Sequence, residues 1–501
     1  MKKILAYALL LSAVCCSCNG KDGPIDDKDK PEEKDPPVVV DEGSATVYTT
    51  TFDGTSKMVK STVKFGKASS MSPNVVKFTS EEFQTMDGFG LAITQATCYN
   101  LLKMTESDRT KVLQEIFSPT EGYGSSLIRV CIGGSDFSMD EFTWCDTEGI
   151  SNFKIHSSDE KYLFPILDEI YKINPNVKIV GSPWSCPRWM KMKVDGTGTY
   201  YSWTSGRLDP KYYSDYATYF VKWIQAMQAR GYKIAYVTLQ NEPLNHGNSM
   251  SLYMPWQDQR DFLKVIGPAF KAAGITTEIL LFDHNYNYDN NGDNKDYPLK
   301  IYADAEATKY AAGSAWHNYG GSVSTLDGVH SSYPDKKILF TEASIGKWNY
   351  DGHGLGGQIR EDMREIFFGT IKRGGRGVTL WNMMLDEKNS PHRGEGACAT
   401  CYGAIDVNTS SYSYASLDRK SHYYDVVHAS VAVKPGAVLI GTDGYTAKSV
   451  QYLAFRNPDG SYGILILNES GSEATFVFTS SAHSVTVKSP SMSVQSVTWK
   501  D

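Results

Sequence analysis

Two glutamates stand where apolar runs end, a placement that suits acid–base chemistry. Residues 234–239 read as a buried strand, which Gln240-Asn241-Glu242-Pro243 brings to a stop. Pro243 has no N–H to offer a sheet ladder. Ile338-Leu339-Phe340-Thr341-Glu342-Ala343 repeats the build 100 residues later. A pair of carboxyl groups can hydrolyse a glycosidic bond: one attacks the anomeric carbon while the other protonates the leaving oxygen. Retention of configuration needs them about 5 Å apart. Their mutual repulsion then keeps one protonated while the other is ionised. The plain alternative is that each is a solvated strand-end acid.

Other polar and aromatic residues fall at comparable places. They are Arg129 and Asp136, Trp184, Asn241, His317 and Tyr319, and Trp381 with Asn382, and all but Asn382 are candidates to bind the substrate. Arg129 either holds the attacking carboxylate ionised or is a structural ion-pair partner. Trp184 and Trp381 either wall a sugar subsite or fill a core, since tryptophan offers a flat apolar face to both. Asp283-His284 and His317 also lie at run ends, but no H-x-H or H-E-x-x-H spacing marks a zinc site. Neither a metal nor a cofactor is expected.

Eight apolar runs, most of them followed by a helix-compatible stretch, must position these residues: 87–93, 126–132, 177–181, 234–239, 278–282, 313–317, 337–341 and 377–381. Eight such alternations predict a (β/α)8 barrel with its chemistry at the strands' C-terminal mouth. A doubly wound open sheet is the alternative. It would usually carry a glycine-rich phosphate loop, and no helix opens at Gly133-Gly134-Ser135-Asp136. Residues 209–231 show the helical half: Asp209 as cap, Pro210 at the first position, and Tyr216, Phe220, Trp223 and Met227 on one face, with Gly231 past the end. The crossover at 320–335 is short and glycine-rich, and its helix is doubtful. After Lys434-Pro435-Gly436 the pattern turns to strands, with a hairpin at Pro458-Asp459-Gly460. The expected division is residues 44–83 as N-terminal strands of a β-sandwich, 84–430 as the barrel and 431–501 as the rest of the sandwich.

The first 18 residues read as a signal peptide, with Lys2 and Lys3 before an apolar stretch too short to span a bilayer. The following cysteines resemble a lipoprotein signal, with Cys18 the lipidated residue; Cys16 and a plain secretory signal are the alternatives. Residues 19–43 hold four Lys, nine Asp/Glu and four Pro and read as a flexible acidic linker. These readings imply an extracytoplasmic protein, anchored to the outer membrane by lipid and facing the cell surface. A net charge of −7 gives no case for nucleic acid. The chain is expected to be a monomer. Six cysteines remain (Cys98, Cys131, Cys145, Cys186, Cys398 and Cys401), and their pairing is open. Cys398-Ala-Thr-Cys401 has no partner motif for zinc and is a disulfide or two loop thiols.

Taken in order, Gly88-Phe89-Gly90, Ile128-Arg129-Val130, Ser135-Asp136-Phe137-Ser138, Ser182-Pro183-Trp184, Asn241-Glu242-Pro243, His317-Asn318-Tyr319, Thr341-Glu342-Ala343 and Trp381-Asn382-Met383-Met384-Leu385-Asp386 resemble glycoside hydrolase family 30. That family includes glucosylceramidases and β-1,6-glucanases. The resemblance implies a barrel with a β-sandwich built from both chain ends, Glu242 as acid/base and Glu342 as nucleophile. It places Asp136, Trp184, Asn241, Tyr319 and Trp381 around a glucose subsite, with Asn241 on the sugar 2-hydroxyl. The sequence departs from the family at Leu91-Ala92-Ile93-Thr94-Gln95, at Ser185-Cys186-Pro187-Arg188 and in the long loop 387–403. These departures bear on substrate, which barrel loops select. The expected activity is retaining hydrolysis of β-glucosidic bonds, first of a β-1,6-glucan. Glucosylceramidase, xylosidase and fucosidase activities are alternatives within the family. A non-catalytic glycan-binding protein is the alternative of another class.

Overall fold

A computed structural model describes residues 43–67, 72–287, 292–394 and 396–501. Cys18, the signal and the linker up to residue 42 lie outside them. Eight parallel strands close a barrel: β1 (Gly88–Ile93), β2 (Leu127–Cys131), β3 (Lys178–Ser182), β4 (Lys233–Thr238), β5 (Glu278–Asn285), β6 (Ala311–His317), β7 (Lys337–Glu342) and β8 (Gly375–Leu380), with β8 pairing back onto β1. These are the eight apolar runs. Each is buried almost throughout, as a strand covered on both faces must be.

The two-residue period of a strand builds the barrel interior in layers. Leu127, Val180, Tyr236, Leu280, Ala315 and Leu339 pack together inside. Two residues further along their strands stand Arg129, Ser182, Thr238, His317 and Thr341. The next layer up is therefore polar. On β5 the count slips by one: pairing with β6 shifts register between Phe282 and His284. Phe282 and Asp283 hold φ of 70° and 69°, a left-handed conformation unfavourable for side chains with a Cβ. The bulge turns Phe282 against Trp316 and Tyr297 and sends Asp283 inward.

The helix after β3 begins with a tight turn at Pro210–Tyr212, where Asp209 accepts from the Lys211 N–H. It continues over Tyr213–Ala229, with Tyr216, Phe220, Trp223 and Met227 buried. The doubtful crossover does form a helix, Thr325–Ser332, anchored by the buried Leu326 and Val329 despite Gly328. Tertiary burial there outweighs the local propensity cost.

Both chain ends enter one ten-stranded sheet. Ser44–Thr51 pairs with the last strand, Ser493–Trp499, while Val75–Thr85 pairs with Val438–Gly444 and Ala474–Thr479. Its two halves enclose a second core, in which Val47, Ile466 and Val497 meet Phe476, Phe478 and Val487. The hairpin at residues 457–461 closes as expected, Asn457 N–H donating to the Ser461 carbonyl. Strands Val438–Gly444 and Ser493–Trp499 went unread because their alternation is broken by glycine and serine. Among the described residues no helix is long and apolar enough to cross a membrane.

Candidate active site

The polar layer converges on Asp283. One of its oxygens accepts from Arg129 Nη2 (2.8 Å), Thr238 Oγ1 (2.7 Å) and Ser182 Oγ (3.0 Å). The other accepts from Thr341 Oγ1 (2.6 Å) and lies 3.0 Å from His317 Nε2. Burial opposes this charge, but Arg129 and His317 hold Asp283 far below the usual carboxylate range. Arg129 reaches four groups at once: Asp283, the Asn241 side-chain oxygen (2.7 Å), Glu342 Oε2 (2.5 Å) and Ser182 Oγ (3.3 Å). Arg129 is therefore a fixed ion-pair partner of Asp283 and also the cation on Glu342.

Glu342 ends β7 in register with His317. Its other oxygen accepts from the Tyr319 hydroxyl at 3.0 Å, and that hydroxyl also meets Ser344 at 2.9 Å. Tyr319 thus turns its hydroxyl toward Glu342 while the residue as a whole stays 42% exposed. Glu242 sits at φ 45°, its N–H bonded to the Asp283 carbonyl at 2.9 Å. A carboxylic residue held in this strained region is a mark of sites that pre-organise a group. Asn245 Nδ2 donates to Glu242 at 2.7 Å, and His317 Nδ1 lies 3.3 Å from its other oxygen.

Carboxylate oxygens of Glu242 and Glu342 and a ring nitrogen of His317 lie within 4.8 Å of one another. Such a trio suits a metal only if the imidazole has a free lone pair. Both His317 nitrogens are engaged, one with Asp283 and one with Glu242. The two carboxyls face a cavity of about 330 Å³, with Asp136, Trp184, Asn241, Tyr319 and Trp381 in its wall. Arg129 and His317, read from the sequence as touching substrate, do not line it. They are fully buried and stand behind the acids, because their strand positions point into the barrel below the mouth.

Burial pushes both glutamates toward the neutral form. With a hydrogen bond and its charge, His317 pulls Glu242 below the ordinary carboxylate range. Glu342 stays above that range, against the pull of His317 and Arg129. Although burial draws His317 down, Glu342, Asp283 and Glu242 push it up to about 9. Asp136 is pushed up to about 8, by burial first and then by Glu342 and Glu242. Burial takes His284 down to about 4, and it faces the cavity neutral.

The sequence reading missed Asp283 as the hub of the network. It also missed Asn245, His284, Ser344 and Trp348 in the cavity wall. The inward layer signal, two residues past a packed apolar residue, points to Ser182, Thr238 and Thr341. Nothing in the sequence announces the β5 bulge. Cys398 and Cys401 form a disulfide, and both line the cavity. A larger cleft of about 840 Å³ lies between the sheet and the barrel's N-terminal end, lined by Lys60, Lys178, Lys233 and Lys434. It has no carboxyl group in its wall and so no acid pair for hydrolysis.

A (β/α)8 barrel with two strand-end glutamates facing one cavity beside two tryptophans defines a glycoside hydrolase. The chain belongs to glycoside hydrolase family 30: the family's TIM-barrel domain matches residues 86–428, and its β-sandwich domain matches residues 436–497. The solved structure of the endo-beta1,6-glucanase BT3312 is 49% identical, with a TM-score of 0.87 over 91% of this chain and 99% of that one. Endo-1,6-beta-D-glucanase BGN16.3 of Trichoderma harzianum is 32% identical over 78% of this chain and 79% of its own length. Putative glucosylceramidase 4 of Caenorhabditis elegans is 29% identical over 87% and 84%.

Proposed function

We propose that the protein is a β-1,6-glucanase that cleaves with retention, Glu342 attacking and Glu242 serving as acid and then base. The observation that carries the mechanism is the approach of the two carboxyls to within 4.8 Å, too close for the intervening water of an inverting enzyme. The roles follow from their partners. Glu342 is bound by a guanidinium that never gives up its charge and by the Tyr319 hydroxyl, which suits an ionised nucleophile. Glu242 is bound by an amide and by an imidazole that can exchange a proton with it. The proton needed on Glu242 at bond cleavage is at hand on His317, 3.3 Å away. Its transfer leaves Nδ1 as an acceptor and Nε2–H donated to Asp283.

In this reading Glu342 displaces the leaving oxygen, Glu242 protonates it, and a water deprotonated by Glu242 then releases the sugar. Asn241, fixed by Arg129, is placed for the 2-hydroxyl, and Trp184, Trp381, Asp136 and Tyr319 surround the ring. The identity and coverage shared with an endo-beta1,6-glucanase support the glucan as substrate. The test is hydrolysis of a β-1,6-glucan, with glucosylceramide and β-xyloside in parallel, following anomers by NMR and product sizes by chromatography. Release of β-anomers from the glucan is the expected result. Turnover of only the other substrates would remove the glucan, and initial α-anomers would remove the mechanism.

The proposal extends to a monomer tethered to the outer membrane through Cys18 and facing the cell surface. Palmitate labelling lost in Cys18→Ser, surface accessibility to protease in whole cells, and a monomeric mass in light scattering test these points.

A further inference from the structure

The loop after β3 carries a cation with no carboxylate partner. Arg188 lies between two aromatic rings, its guanidinium carbon 4.4 Å from the ring centre of Tyr201 and 4.7 Å from that of Trp203. Among the described residues it makes no side-chain hydrogen bond or ion pair, so its five N–H donors are unspent. Trp203 packs in one apolar cluster with Trp184 and Trp381, which wall the cavity beside the glutamates. Tyr201, at the other end of this stack, is 63% exposed. Trp184 and Trp381 in the cavity wall share a cluster with Trp203, and Trp203 shares the Arg188 guanidinium with the exposed Tyr201.

The loop is held firmly. The buried Lys191 ammonium donates to the carbonyls of Trp203 (3.1 Å), Ser205 (2.8 Å) and Ser251 (2.9 Å). That anchors the turn carrying Tyr201 to the loop after β4, and an anchored ring binds without a further ordering cost. A cavity of about 330 Å³ is at the small end of ligand sites, about 300–1,000 Å³. A longer glucan must leave it across the rim. Among the described residues, large aromatic side chains exposed on the mouth loops are few: Tyr201, Tyr319 and Trp348. Of these, only Tyr201 lies outside the cavity wall.

We propose that Tyr201 and Arg188 form an outer saccharide subsite on the β3 loop, where the tyrosine face packs against a glucosyl unit beyond those in the cavity and the guanidinium donates to its hydroxyls. This rests on the glucan reading above. Sugar rings suit the pairing, because aromatic faces meet their axial C–H surfaces while a planar fork of donors meets neighbouring hydroxyls.

The test is kcat/KM on a series of β-1,6-linked gluco-oligosaccharides of increasing length, for wild type, Tyr201→Ala, Arg188→Ala and Tyr201→Phe, with melting temperatures alongside. Both alanine variants should show a loss that grows with length, from under about twofold on the disaccharide to about tenfold on the longest chains. Tyr201→Phe keeps the ring and should stay with wild type throughout. Equal losses at every length would show that the stack only holds the loop, and would overturn the subsite. Variants that track an active wild type at every length would overturn it too. A wild type inert on the whole series would defeat the substrate reading, visibly without any variant, and this subsite's ligand with it.

Discussion

The two ends of the barrel each bury a carboxylate against cations, and they do so differently. At the N-terminal end Asp87 meets Lys178 at 2.7 Å, Arg376 at 3.4 Å and the Tyr236 hydroxyl at 2.8 Å. One acid there has two cations, both partly open to solvent. At the C-terminal mouth Asp283, Glu342 and Glu242 share one guanidinium and one imidazole, all buried. Charge at the bottom is compensated locally and holds the fold. Charge at the mouth is short of cations by design of the layer, and the deficit is what keeps a proton available. A buried ion cluster is a catalytic candidate when its carboxylates outnumber its cations, and a brace when they do not.

The strongest way to break this contrast is Glu342→Gln. It should lower kcat on the glucan by on the order of 10⁴-fold or more, as loss of a nucleophile does, with the fold intact by circular dichroism. Residual turnover within tenfold of wild type would move the nucleophile elsewhere. Glu242→Ala should cost about 10²–10⁴-fold on the glucan, the range of general acid catalysis. The cost should be far less in the first step on an aryl glucoside with a good leaving group, which needs no proton. Equal losses on both substrates would argue against the acid/base role.

Stability sharpens the comparison next. Asp283→Asn removes the buried carboxylate that Arg129, His317, Ser182, Thr238 and Thr341 share and should cost about 3–5 kcal/mol in urea unfolding, along with activity. Asp87→Asn loses ion pairs that water already screens. It should cost about 1 kcal/mol and leave kcat within about twofold. Reversal of that order would erase the distinction between brace and site.

The smallest effect is in pH dependence. His317, raised to about 9, and Asp136, raised to about 8, both hold protons at neutral pH. A group raised in this way is protonated below its pKa and loses the proton as pH rises. Accordingly, kcat/KM should decline through pH 8 to 9, and the decline should change shape in His317→Gln. A profile that stays level through this interval in wild type would take His317 out of the proton path.

Much of this was legible in the linear chain. Eight apolar runs became eight strands because a strand buried on both faces has no room for polar alternation. Glu342 is the last residue of β7, paired with His317, while Glu242 follows β4 after the strand has ended at Thr238. Arg129 and His317 were read as ligands of the sugar because a strand end looks the same from the sequence whether its side chain faces the cavity or the layer beneath. Asp283 was weighed only as a metal ligand and set aside. Its inward turn depends on a one-residue slip against β6, which no local pattern encodes.

Residue types and their periods alone determined the barrel, the two acids at its mouth and the polar layer under them, since burial and the two-residue repeat act within single strands. Tertiary structure alone decided the distances: the approach of Glu242 to Glu342 and the reach of Arg129 to Asp283, Asn241 and Glu342. These contacts join residues far apart in sequence, some of them more than 200 positions apart as in Arg129–Glu342. Closure of the barrel, and no local preference, sets how near such residues come.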